Sequence, residues 1–247
     1  SGAENSFPPR SEKTITGGNR MQAAAVGSES VKKRGFLSFY TKGEEIFNAV
    51  SHIAGGGLGL IFWAALLALS YPDPMAMTAV SLFGFGAVTL YTMSALYHFL
   101  PDGRAKGVFR IFDHCTIFLL IAGTYSPYCL VALGGTTAGW IVFGLQWGCA
   151  IAGITMNAIA MNNKVVKAIS MALYCVMGWM ALAVFPQLYA ALTAAEFWLL
   201  LAGGLAYTVG IAFFALGKKV RWFHSVWHLF DIAGTALQFA SILLILL

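Results

Sequence analysis

From about residue 46 onward, long apolar runs alternate with short polar breaks along the chain. A helix rising about 1.5 Å per residue needs about 20 residues to cross a hydrocarbon core about 30 Å thick. Seven runs reach that length, at about 46–70, 75–100, 109–133, 138–161, 165–189, 196–216 and 223–247. The breaks Tyr71-Pro72-Asp73-Pro74, Pro101-Asp102-Gly103, Gly134-Gly135 and Asn162-Asn163-Lys164 carry turn residues,. In hydrocarbon every backbone N–H must be paired internally, so these runs are expected to be helices and not strands. The predicted fold is an all-α integral membrane protein, a seven-helix bundle over residues 44–247. Residues 1–43 hold Pro8, Pro9, Gly17 and Gly18 among scattered Ser, Lys and Glu without apolar periodicity, and are expected to be a disordered tail,. The stretch before Met21 is read as preceding the native start, and no cleavable signal peptide is expected.

Composition agrees with this reading. Of 247 residues 59% are hydrophobic and only 10% charged, against about 25% charged in soluble domains. Mean hydropathy is +0.75. The net charge of +5 forms no basic face, so nucleic acid is not an expected partner. Cys115, Cys129, Cys149 and Cys175 form no CxxC pair and sit in apolar runs, where a thiol behaves as a small hydrophobe,. With seven spans, all 15 Lys and Arg fall on one side, in the tail and the second, fourth and sixth connections. The positive-inside rule then predicts a cytoplasmic N-terminus and a C-terminus outside. Glycines at 55, 59, 84, 86, 203 and 204 allow close helix approach,. Pro127 is expected to kink the third helix, with Thr124 or Ser126 taking the freed carbonyl, and Trp140, Trp198 and Trp222 to anchor span ends.

Ionisable groups inside spans are costly and mark function. All five histidines lie near the basic ends of spans. His224 and His228, at i and i+4, share a helix face and suit two imidazoles on one metal. His228 lies about 10 Å of helix rise beyond Arg221, and His98 and Asp113 reach the same depth. Three neutral imidazoles with an open fourth position describe a catalytic zinc. Asp113 suits a holder of the zinc water or a general base, and Ser94, one turn before His98, can orient water or a substrate carbonyl. His52 and His114 fit helix–helix hydrogen bonds equally well, and Glu44 and Glu45 fit the dipole of a helix N-terminus.

The segments Ser94-Ala95-Leu96-Tyr97-His98, Phe112-Asp113-His114, Ala122-Gly123-Thr124-Tyr125-Ser126-Pro127 and His224-Ser225-Val226-Trp227-His228 resemble the hemolysin III family, the bacterial branch of the progestin and adipoQ receptors. Glu45, Asn48 and His52 resemble that family's first-span signature. The resemblance spans residue 44 to the end and implies a Zn2+ cofactor held by His98, His224 and His228, with Asp113 bound through water. It also implies kinship with membrane hydrolases that cleave lipid amides such as ceramide. The sequence departs from the family pattern at Asp231, where an apolar residue is usual, and at Gln238, where a His is common. Asp231 lies one turn deeper than His228 on the same face, placed as a carboxylate partner for His228, a proton relay or a partner for a substrate amine.

The expected function is zinc-dependent hydrolysis of an amide or ester bond in a membrane lipid or other amphiphile, at the bacterial inner membrane. The rival readings are a non-enzymatic zinc-stabilised receptor, sensor or regulator of membrane energetics, and a pore-forming hemolysin. A chain made of stable spans, without amphipathic segments, fits a soluble inserting toxin poorly.

Overall fold

A computed structural model describes residues 39–247; the expected tail lies outside the described residues as far as residue 38. Seven helices are long and apolar enough to cross a membrane: α1 (Lys42–Ser70), α2 (Pro74–Phe99), α3 (Arg104–Ala132), α4 (Thr137–Ala160), α5 (Lys164–Ala191), α6 (Ala194–Leu216) and α7 (Phe223–Leu246). Among the described residues there is no strand.

Local chemistry sets the helix ends. The Thr41 hydroxyl accepts from the Glu44 amide while the Glu44 carboxylate accepts from the Thr41 amide at 2.8 Å, a reciprocal cap that starts a helix. It begins α1 at Lys42, four residues before the apolar run and inside the stretch expected as tail. Asp73 caps α2 through the amides of Met75 and Ala76, and Thr193 with Glu196 repeats the reciprocal cap on α6. The helix α3 starts at Arg104, after Gly103, so Arg104, Lys106 and Arg110 occupy its first two turns and not a connection.

Two helices depart from the expected regularity. Thr124 and Ser126 donate to the carbonyls of Leu120 and Ala122, so neither takes the Gly123 carbonyl that Pro127 frees. The chain instead widens into a π turn over Tyr128–Ala132, which absorbs the missing amide. The fifth span is α-helical to Gly178, tightens to a 3-10 turn over Met180–Val184, and resumes over Phe185–Ala191 with Pro186 in its first turn.

In the bundle α1 packs on α2 and α7, α3 on α2, α4 and α5, and α6 on α7. The α2–α3 crossing is close because two glycines sit in it. A Cβ on Gly86 would meet the Leu119 carbonyl oxygen at 2.9 Å, and one on Gly123 the Leu82 carbonyl oxygen at 2.5 Å. Gly204, by contrast, faces open space. One half of the interior is apolar, built around Leu66, Val80, Phe83, Tyr128, Val142 and Ile242. The polar buried residues Asn48, His52, Ser94, His98, Asp113, His224 and His228 gather at the other end, with the basic residues. Outward positions such as Ile61, Ile151 and Ile159 are exposed and apolar, as a lipid-facing surface requires. Trp140, Trp198 and Trp222 are also exposed near helix ends, and the four cysteines are free.

Candidate metal centre

At the basic end, the last turn of α2 and the first two turns of α7 converge. The Nε2 atoms of His98 and His224 lie 3.3 Å apart and those of His224 and His228 3.2 Å apart. One ligand atom from each of the three rings falls within 4.8 Å of the others, and all three residues are buried.

The far side of two rings fixes which nitrogen carries the proton. The Glu45 carboxylate lies 2.6 Å from His98 Nδ1, so Nδ1–H donates, and in the neutral, metal-binding form of the ring Nε2 keeps a lone pair. Ser51 Oγ donates its own proton to the Asn48 carbonyl at 3.0 Å and lies 3.3 Å from His228 Nδ1. The Ser51 oxygen therefore accepts from Nδ1–H, and His228 Nε2 also keeps a lone pair. Two lone pairs converge on His224 Nε2, which has at most one proton to give. Three neutral imidazoles in this arrangement repel one another until a cation sits among them, and a donor set of three imidazoles suits zinc or a similar divalent metal. Glu45 is itself anchored by Lys106 Nζ at 2.9 Å.

Other expected site residues surround this trio. Ser94 is buried, and its hydroxyl lies beside the Asp113 carboxylate. His114 is not a fourth ring of the cluster: its Nδ1 lies 3.0 Å from the Arg110 carbonyl and 3.5 Å from Asp113 Oδ2. Asp231 faces His52, with Oδ2 3.8 Å from Nε2, and not the outer nitrogen of His228, which Ser51 occupies. His52 stacks on His228 at 3.6 Å between ring centroids, and neither of its ring nitrogens has a hydrogen-bond partner. Asn48 Oδ1 accepts from Ser225 Oγ at 2.7 Å, tying α1 to α7. Gln238 accepts from the Tyr128 hydroxyl at 2.7 Å and donates to the Leu200 carbonyl, so it holds helices together.

Two residues, Tyr40 and Ser51, escaped the sequence reading, and Glu44 has a partner it did not anticipate. Tyr40, inside the expected tail, is buried and stacks on His224 at 4.6 Å. Burial, with Tyr97 and the Asp113 and Glu45 carboxylates nearby, pushes its hydroxyl well above the usual range. The signal was the Thr41-Lys42-Gly43-Glu44 cap that follows it. Ser51 carried no signal beyond being polar within an apolar run. Glu44 accepts from the Trp222 amide at 2.6 Å, which holds Trp222 in the left-handed region at φ 66° just before the first ring of the α7 pair.

The model of the family described as "Haemolysin-III related" matches residues 40–239. This chain belongs to the haemolysin-III family. It is 37% identical over 202 residues to "Hemolysin-3" of Bacillus cereus, covering 81% of this chain and 90% of that one. It is 34% identical over 206 residues to a "Hemolysin-3 homolog" of Bacillus subtilis (strain 168), covering 83% and 95%. A more distant relative, of progestin and adipoQ receptor type, is the Homo sapiens "Monocyte to macrophage differentiation factor", 26% identical over 190 residues, 74% of this chain and 76% of that one.

Two cavities open in the helix bundle of this haemolysin-III chain, one of which reaches the trio. An apolar one of about 170 Å³ lies among α3, α5, α6 and α7, with Asp231, Gln238 and Tyr207 as polar groups in its wall. Cys175, Leu182, Phe185 and Thr208 on its rim are exposed, so it reaches the side of the bundle between α5 and α6. A second, of about 180 Å³, lies at the basic end and reaches His224, Asp113 and Tyr40.

Proposed function

We propose that this multi-pass membrane protein is a zinc-dependent hydrolase of lipid amide or ester bonds, acting from the cytoplasmic leaflet of a bacterial inner membrane. The observation that carries the reading is the buried convergence of the His98, His224 and His228 Nε2 atoms, with Glu45 and Ser51 fixing the outer nitrogens of two of the rings. His98, His224 and His228 would hold the ion, leaving a position for water. A divalent cation held there would polarise a carbonyl and acidify water. Asp113 would take the proton of the attacking water and return it to the departing amine or alcohol as the C–N or C–O bond breaks, and Ser94, beside that carboxylate, would steady the water or the developing oxyanion. The apolar cavity, reaching the flank of the bundle, suits the hydrocarbon part of an amphiphile. The gathering of Lys and Arg at the trio's end supports a cytoplasmic N-terminus.

A second reading has support in one contact. His52, stacked between the trio and Asp231, forms a buried line of proton-carrying groups, which fits a non-enzymatic regulator of membrane energetics.

The test is metal content of detergent-purified protein, wild type beside His224→Ala and His228→Ala, with thermal melts as a folding check. About one zinc per chain in the wild type, lost in both variants, is expected. Hydrolysis of amide lipids that Asp113→Asn abolishes would then complete the case. A well-folded wild type without metal removes the hydrolase reading, and full metal with no turnover on any lipid favours the regulator.

A further inference from the structure

Lys106 and Arg110 sit one turn apart on α3, both buried, and are treated differently by the fold. Lys106 Nζ is paired with Glu45 at 2.9 Å and with the Leu100 carbonyl at 3.1 Å. Arg110, 8% exposed, has no ion pair or side-chain hydrogen bond among the described residues; its recorded neighbour is the Phe39 ring, 5.7 Å away. An enclosed guanidinium without an anion is expensive.

Arg110 lines the basic-end cavity, and two further cations do so from other elements: Lys167 on α5 and Lys218 in the α6–α7 connection. Lys218 Nζ lies 4.8 Å from the same Phe39 ring. Partial burial, together with the Arg110 and Lys167 charges, pushes the Lys218 ammonium down to about 8, which is how cations behave when nothing neutralises them. Among the described residues Asp113 is the one carboxylate in the lining. It already has Ser94 and His114 beside it, and it forms no ion pair with Arg110. Three cations therefore face a cavity with one carboxylate. At about 30 Å³ per water, its volume of about 180 Å³ holds a group of about six waters' size.

We infer that this cavity is a binding site for a single phosphate-type oxyanion, free or carried on a lipid headgroup, gripped by Arg110, Lys167 and Lys218 beside His224. The planar fork of Arg110 matches two phosphate oxygens, and the lysines supply point charge. The site stands whether or not the neighbouring trio hydrolyses anything. If it does, the substrates would carry phosphate within reach of the scissile bond.

The test uses full-length protein in phosphatidylcholine nanodiscs. Binding of lysophosphatidic acid is compared with that of the monoacylglycerol of equal chain length, with inorganic phosphate as competitor, and with and without EDTA. The phosphate-bearing lipid is expected to bind at least about tenfold more tightly than the neutral one, as a charge-assisted contact allows. Arg110→Gln and Lys218→Gln should each weaken it about tenfold, whereas Lys164→Gln and Lys219→Gln, exposed at the same end but outside the cavity lining, should not. Lys218 is exposed, so its variant reads the site even if Arg110→Gln fails to fold. Competition by millimolar inorganic phosphate assigns the site to a free anion, and its absence to a headgroup. Equal binding of the two lipids, equal loss in all four variants, or loss with EDTA would overturn the inference.

Discussion

Replacing Glu45 by Gln probes the arrangement of the trio most directly, because shape is kept and only the negative charge facing the outer nitrogen of His98 is lost. The 2.6 Å contact to His98 Nδ1 is charge-assisted. Hydrogen bonds to charged groups contribute about 1.5–3 kcal/mol against about 1 kcal/mol for neutral ones, so the substitution removes about 0.5–2 kcal/mol. That corresponds to about two- to thirtyfold in metal affinity, overlapping the lower part of the span of about 10–100-fold typical of groups that orient metal-bound imidazoles. Lys106, left with the Leu100 carbonyl as partner, destabilises metal-free and metal-loaded protein alike and so drops out of the affinity. The assay is competition for zinc against a chromogenic chelator at fixed pH, with melts in EDTA reporting stability separately. Ser51→Ala removes a neutral partner of His228 and should cost only a few-fold. If Glu45→Gln retains full affinity while its EDTA melt falls, the carboxylate serves Lys106 alone and the tautomer argument fails.

Other outcomes follow from the same geometry. Asp113→Asn should keep its zinc, measured by elemental analysis, yet lose at least about a hundredfold in turnover on an amide lipid, the usual scale for a general base. Gly123→Ala drives a Cβ to 2.5 Å from a backbone oxygen and should lower the melting midpoint by an amount equivalent to about 1–3 kcal/mol; Gly204→Ala, into open space, should leave it unchanged or raise it. Lys218, held near 8 in the free protein, is fully charged below that pH. Above the second ionisation of the phosphate, at about pH 6, phosphate-lipid affinity should therefore fall as pH rises past about 8, a fall that Lys218→Arg abolishes, as titration calorimetry at several pH values would record.

Span count and helical character were legible because hydrocarbon permits few backbone solutions, so seven apolar runs with turn residues between them leave little choice. The trio was legible for a related reason. His224 and His228 share a face by spacing alone, and His98 reaches their depth from a span end. Boundaries were read from apolar runs, which hid the polar first turns: Lys42–Glu45 are helical because of the Thr41 cap and not because of hydropathy, and Arg104–Lys106 open α3 although they are polar. Partners set by the packing of α1 on α7 had no local signature. Spacing along α7 pointed Asp231 at His228, whereas Ser51 of α1 already held that nitrogen and His52 of α1 came to face the carboxylate.

Glu44 and Glu45 are consecutive, yet they grip different helices: one holds the Trp222 amide beside α7, the other holds His98 at the end of α2, each at 2.6 Å. Sliding α1 by a single residue moves its start by about 1.5 Å and turns it by about 100°, enough to break both grips together. The first turn of α1 thus acts as a shared clasp: one short stretch of backbone sets the position of the end of α2 and of the start of α7 at once.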